Sequence, residues 1–165
     1  ETELKERGAH CDLRGVYLAD QRNHIDHHTI IEHEDEHCTS NELYKGILSG
    51  KSTAVFNGRI HVHKAAQKTD AIQSNQNLLL SDDSIIHTKP ELEIYADDVK
   101  CTHGATIGRL DEKGIFYLRA RGIKKEEAQK MMMRAYIGEV LNGMKNSKAK
   151  ETLLEKIIEN IPEGE

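Results

Sequence analysis

A thiol and an imidazole stand two residues apart in the stretch KCTHGATIG, residues 100–108. In a β-strand, residues two apart share a face and lie about 6.6 Å from each other. Cys101 and His103 could therefore bind one metal ion or pass a sulfur species between them, and an imidazolium would lower the pKa of the thiol. Gly104 and Gly108 leave room above the strand. As a bare motif C-x-H is weak and a lone buried cysteine is common, so the spacing alone does not establish a site.

A second candidate is the histidine-rich stretch HIDHHTIIEHEDEHC, residues 24–38. It contains no HExxH motif and no CxxC pair, which are the usual signatures of a local metal site. On a strand, His27 and His33 would share one face and His28 would lie on the other. Solvated or stacked histidines are therefore favoured over metal ligands here.

The stretch RIHVH, residues 59–63, places His61 and His63 on one strand face together with Arg59. Two imidazoles at this spacing could hold a metal ion between them. No third ligand is evident nearby in the sequence, so an exposed polar face is the favoured interpretation.

No nucleotide-binding or hydrolase motif is present. The chain lacks G-x-x-x-x-G-K-[ST], G-x-G-x-x-G and G-x-S-x-G. The sequence therefore gives no indication of an enzyme with an active centre of its own.

The composition limits both the partners and the compartment. The net charge of -5 argues against nucleic acid as a partner, and no apolar run is long enough to predict a membrane span. An odd number of cysteines, Cys11, Cys38 and Cys101, argues against a disulfide scaffold and favours a reducing cytoplasm. Only 37% of the residues are hydrophobic, which predicts a thin core of the kind found in elongated, repetitive folds.

Short β-branched and aromatic bursts, bounded by turn residues, fill the first three quarters of the chain and predict strands. Their close spacing favours a parallel β-helix with coils of roughly 20 to 25 residues, and a β-sandwich is the alternative. FNGR, residues 56–59, has the form of a two-residue hairpin turn. The predicted strands are residues 15–19, 29–33, 44–48, 53–63, 77–81, 84–88, 92–96 and 115–120.

After Gly122 the apolar period changes to that of helices. We predict one helix over residues 124–144 and a second over residues 147–162, with Ser147 as its N-cap and Pro162 as its stop. The domain division is therefore 1–122 for the β-helix and 123–165 for a helical domain. Methionines cluster on the first helix, and methionine adapts well to a partner surface, although packing against the β-domain is the alternative. The candidate docking residues are Met131, Met132, Tyr136 and Val140.

Several long stretches resemble the C-terminal half of the SufD branch of the SufB/SufD family, which are scaffold proteins of the SUF iron–sulfur cluster assembly system. The resemblance covers almost all of residues 8–141. It is carried by HTIIEH, HCTSNELYKGIL, FYLRARGI and the long run from Val55 to Glu112, and Gly104 in CTHGAT favours the SufD branch over SufB.

The resemblance implies a right-handed parallel β-helix followed by a small helical domain. It implies that the β-helix pairs with SufB, that the C-terminal helices dock the ATPase SufC, and that the protein is not itself an enzyme. Cys101 and His103 fall on the KCxHGAT motif, which implies a cluster-assembly site and metal ligands shared with a partner chain. No tightly bound cofactor is expected, only a transient iron–sulfur cluster or iron and persulfide at the SufB–SufD interface.

Two alternative functions remain at this level, a metal-binding enzyme and a structural solenoid with no chemistry of its own. An autonomous metal-binding enzyme of the β-helix or cupin type would use the His-rich strands, with His27, His61 or His63 as ligands. The isolated chain could also pair with itself through an open edge as a homodimer. Cys11 and Cys38 match no functional cysteine of the family and are expected to be structural.

Overall fold

In the computed structural model, residues 1–161 are described, and they form eight strands followed by three helices. The strands are β1 (Thr2–Leu4), β2 (His10–Ala19), β3 (His24–His33), β4 (Thr39–Leu48), β5 (Thr53–Val62), β6 (Asp70–Leu79), β7 (Ile85–Ile94) and β8 (Lys100–Gly108). The helices are α1 (Glu112–Arg119), α2 (Lys125–Leu141) and α3 (Ser147–Glu159).

The strands form a solenoid of about four turns built from two parallel sheets. Sheet 1 has the order β1-β3-β5-β7, and sheet 2 has the order β2-β4-β6-β8. His10 pairs with Thr39, Thr39 with Asp70 and Asp70 with Lys100, so one coil takes about 30 residues. The predicted solenoid is confirmed. The coil is longer than the predicted 20 to 25 residues because each coil contains two strands of about ten residues and two corners.

Two details of the predicted strands are wrong. FNGR is not a hairpin turn, because β5 runs without interruption through it. The separate strands at 84–88 and 92–96 are one strand, β7, with Pro90 in its middle. Proline is tolerated there because β7 is the last strand of its sheet, where a missing N–H leaves no neighbouring carbonyl unpaired.

Side chains alternate between the inside and the outside of the solenoid. In β5 every second residue, from Ala54 to Val62, is fully buried. The interior is apolar at one side, where Ile31 and Ile60 pack together. It is polar in its middle layer, where the buried carboxylate of Glu42 accepts a hydrogen bond from Gln73 at 2.6 Å.

The segment 115–120 is helical, so the strand predicted there is wrong. Asp111 caps α1 by accepting a hydrogen bond from the backbone N–H of Lys113. A short apolar run does not distinguish strand from helix by itself, and the N-cap gives the decisive local preference. The change from strand to helix thus falls between Gly108 and Glu112. The domain division at residue 122 stays a prediction, since secondary structure does not define a domain boundary.

Helix α2 lies against the outer face of sheet 2. Its Met133 and Ile137 cover Ile47 of β4. The N-cap of helix α3 is Asn146, one residue before the predicted Ser147. The predicted stop, Pro162, lies outside the described residues. No helix within residues 1–161 has a stretch long and apolar enough to cross a membrane.

Candidate functional site

Cys101 and His103 lie on the same face of β8, as the sequence predicts. Their register partners in β6 are Ala71 and Gln73, both buried inside the solenoid. The thiol and the imidazole therefore belong to the inner face of the last coil. Cys101 is half-buried against the apolar cluster of the interior, whereas His103 is exposed. In this pair, Cys101 packs partly against the core, and His103 is accessible to a partner.

Burial raises the pKa of the Cys101 thiol, the charge of Asp70 adds to that effect, and a backbone hydrogen bond at Ala71 opposes it. A raised pKa favours the neutral thiol. A bound cation would displace the proton and make the sulfur a thiolate ligand.

One side of this strand faces open space. Among residues 1–161, no strand pairs with the outer edge of β8, which ends sheet 2. A Cβ placed on Gly104 or on Gly108 would have no atom within 4 Å. Ile107, on the same inner face as the thiol, is 53% exposed. The final coil therefore offers a free hydrogen-bonding edge along the strand of Cys101 and His103, and an uncovered apolar side chain further along the same face of that strand.

The other two cysteines occupy structural positions. Cys38 is fully buried, and its Sγ lies 3.3 Å from the backbone carbonyl oxygen of Glu6. Cys11 is half-buried at the opposite end of sheet 2, and burial also raises its pKa. All three cysteines are free thiols.

The histidines of residues 24–38 divide between the two faces of β3, as expected. The ring of His27 points inward and stands between the rings of Tyr17 and Tyr44, with centroids 5.0 and 5.7 Å away. His33 is fully buried, and its Nε2 lies 2.9 Å from Oγ of Ser40. His28 lies on the outside. These histidines are divided between core packing and solvent and do not converge on one point.

His61 and His63 do converge, on a residue that the sequence did not reveal. Nδ1 of His61 lies 2.6 Å from Oε2 of Glu32, and Nε2 of His63 lies 3.0 Å from the same oxygen. Burial would raise the pKa of Glu32, but the hydrogen bonds and charges of His63 and His61 outweigh burial and lower it. Glu32 is the register partner of His61 although 29 positions separate them, and the underestimated coil length concealed this relation.

The four candidate docking residues on α2 have different environments. Met131 is 48% exposed, and Met132 is partly buried. Tyr136 packs against the solenoid, where its ring lies 4.3 Å from the ammonium of Lys45, and Val140 is buried.

Helix α1 carries exposed aromatic side chains that the sequence pattern did not reveal. Phe116 is 73% exposed, and Tyr117 is also exposed. Phe116 lines an open groove of about 650 Å³ between α1 and the start of α2, together with Ile123. The prediction of a strand over residues 115–120 concealed this surface, since only a helix places these rings beside α2.

Comparisons with known proteins agree on one family. The family model described as "SUF system FeS cluster assembly, SufBD core domain" matches residues 1–136. The chain is 40% identical over 163 residues to the iron–sulfur cluster assembly protein SufD of Escherichia coli, covering 99% of this chain and 38% of that protein. It is 45% identical over 138 residues to an iron–sulfur cluster assembly SufBD family protein of Synechocystis, covering 84% of this chain and 30% of the relative.

A plant relative, the chloroplastic protein ABCI7 of Arabidopsis thaliana, is 35% identical over 141 residues, or 85% of this chain and 30% of its own length. The chain thus spans between 30% and 38% of the length of these three relatives.

Proposed function

Since the chain belongs to the SufBD family of SUF-system iron–sulfur cluster assembly proteins, we propose that it is part of a scaffold and not an enzyme. Its solenoid pairs with SufB, and its C-terminal helices dock the ATPase SufC, which supplies ATP hydrolysis. Cys101 and His103 contribute to an assembly site shared between the two scaffold subunits, where iron and sulfide are cargo.

The observation that carries this proposal is the position of Cys101 and His103 on a strand with a free edge. A free parallel edge can accept a strand from another chain through backbone hydrogen bonds. A partner seated there would lie directly beside the thiol and the imidazole. Half of the ligand set would then come from each chain.

The chemistry of the two side chains suits iron and sulfide. Thiolate sulfur and imidazole nitrogen both bind iron, and the thiolate binds it in clusters. Because burial raises the pKa of Cys101, the free scaffold presents a neutral and poorly reactive thiol. An arriving cation replaces the thiol proton. The site is thereby protected from oxidation while it holds no cargo.

The test is made in the full-length protein, with Cys101→Ser and His103→Ala as separate variants. Each complex with SufB and SufC is purified, and its iron content, sulfide content and melting temperature are measured. We expect both variants to assemble with an unchanged melting temperature and to carry far less iron and sulfide.

Cys11→Ser is the matched control, because Cys11 is also half-buried with a raised pKa on the same sheet but lies at the other end of the solenoid. Its complex should load iron normally. Normal iron loading with Cys101→Ser and His103→Ala combined would remove the proposed site.

A further inference from the structure

An imidazole pair and a carboxylate meet on the outer face of sheet 1, away from β8. One ligand atom each from Glu32, His61 and His63 lies within 4.8 Å of the other two. Both histidines contact the same carboxylate oxygen. All three side chains are only partly buried, so a small ion and its water ligands could reach the centre of the triangle.

The charges around this cluster leave one carboxylate without a basic partner. Glu3 and Glu93 occupy neighbouring positions in the same row across sheet 1. Glu3 forms an ion pair with Lys5, and Glu93 has an ion pair with Arg59 at 3.7 Å. Among residues 1–161, no lysine or arginine forms an ion pair with Glu32, whose paired side chains are the two imidazoles. When these rings are neutral, the cluster carries one uncompensated negative charge.

A simpler account is a hydrogen-bonded group that only joins two coils. For comparison, His28 and Asp26 form a single pair on the same outer face, within one strand, with Nε2 and Oδ1 3.0 Å apart. This pair has one imidazole and is well exposed. The other cluster has two rings directed at one oxygen atom. The ring of Tyr95 packs edge-on against His61 at 5.3 Å, and such support fixes the orientation of a ligand.

We propose that Glu32, His61 and His63 form a binding site for a first-row divalent transition-metal ion. Two imidazole nitrogens and one carboxylate oxygen suit zinc, cobalt, nickel and ferrous iron, whereas magnesium and calcium prefer oxygen ligands alone. Three protein ligands leave at least one coordination position to water. Metal binding replaces the hydrogen bonds between the rings and the carboxylate.

The proposal is tested on the metal-free chain with Cys101→Ser and His103→Ala in the background, so that the assembly site cannot contribute. Zinc chloride is titrated by calorimetry, and cobalt chloride is followed by its visible absorption. We expect one site per chain, a cobalt spectrum typical of nitrogen and oxygen ligands, and no competition from excess magnesium. His61→Ala, His63→Ala and Glu32→Gln should each weaken binding about tenfold or more.

His28→Ala is the matched control and should leave the affinity unchanged. Thermal unfolding of each variant without metal shows whether it is folded. His63 is the most exposed of the three side chains, so its substitution should lower stability least. Full affinity in a folded His63→Ala variant, or no zinc binding by the parent chain, would overturn the proposal. Because the background lacks Cys101 and His103, neither result bears on the cluster-assembly function.

Discussion

Gly46 of β4 is the register partner of Tyr17 in β2, and the tyrosine ring covers the glycine. A Cβ placed on Gly46 would lie 2.4 Å from this ring. The same two strands contain a second pair with the roles exchanged. Gly15 of β2 is paired with Tyr44 of β4, and a Cβ placed on Gly15 would lie 2.3 Å from the ring of Tyr44. Two tyrosines fit inside adjacent coils because the glycines opposite them leave the space.

Substitution Gly46→Ala should therefore destabilise the solenoid. The added methyl group overlaps a ring that is buried, and overpacking of this kind costs about 1–3 kcal/mol. The measurement is the free energy of unfolding in urea. Gly108→Ala is the control, since it lies on a strand in open space, and it should change stability by less than about 0.5 kcal/mol. Equal stability of the two variants would contradict the observed packing.

Helix α2 is held to the solenoid by a buried ammonium. Lys45 is 2% exposed, forms an ion pair with Glu139 and donates to the backbone carbonyl of Tyr136 at 3.1 Å. Glu139→Gln should lower stability by about 1 kcal/mol, because the ammonium loses a counter-charge that is itself 60% exposed and screened by solvent. Chemical unfolding measures the change. Glu126→Gln, in the first turn of the same helix, serves as the control and should have little effect.

The buried carboxylate of Glu42 predicts a pH dependence. Burial raises the pKa of Glu42, and the hydrogen bond from Gln73 only partly opposes this. The folded state therefore holds the proton to a higher pH than the unfolded state. The resulting stability is fully present below the unfolded pKa of about 4.3 and is lost as the pH rises through the folded pKa.

Glu42→Gln keeps the shape of the side chain and removes the charge. We expect the variant to be more stable than the parent at pH 8, with a difference that shrinks as the pH falls to 5. Urea unfolding at several pH values measures this difference and cancels the contributions of other groups. A difference that is constant with pH would show that Glu42 has no raised pKa.

If the C-terminal helices dock SufC as proposed, binding should depend on the exposed apolar side chains of α1 and α2. Phe116→Glu and Met131→Glu should then weaken SufC binding with little loss of stability, because both side chains are largely exposed. Surface plasmon resonance with immobilised SufC measures the affinity. Deletion of residues 124–165 is a less specific test, since it would also uncover Ile47 and Lys45. Unchanged affinity in both point variants would remove these helices as the docking element.

The sequence predicts the solenoid and the Cys101–His103 pair because both depend on local patterns. Alternating burial gives strands, and a spacing of two residues gives a shared face. The family resemblance then decides between β-helix and sandwich. The partly buried position of Cys101 against the interior was not predictable, since it depends on side chains from neighbouring coils.

The two failures have different physical causes. Glu32 and His63 are brought together by the length of a coil, and no local pattern encodes that length. The helix α1 was taken for a strand because FYL is apolar and short, although Asp111 at its start favours a helix.

The interleaved pairing of the strands has a consequence for how the chain acquires its fold. Within residues 1–161 each ladder joins positions about 30 apart, such as His10 with Thr39 and Thr53 with Ile85. The first coil must therefore close a long loop before any ladder hydrogen bond compensates the lost entropy. Each later coil adds to an existing template, as in other solenoids. Folding should then have a slow first step, and amide exchange should be fastest at β8 and slowest at β4 and β5, in the middle coils.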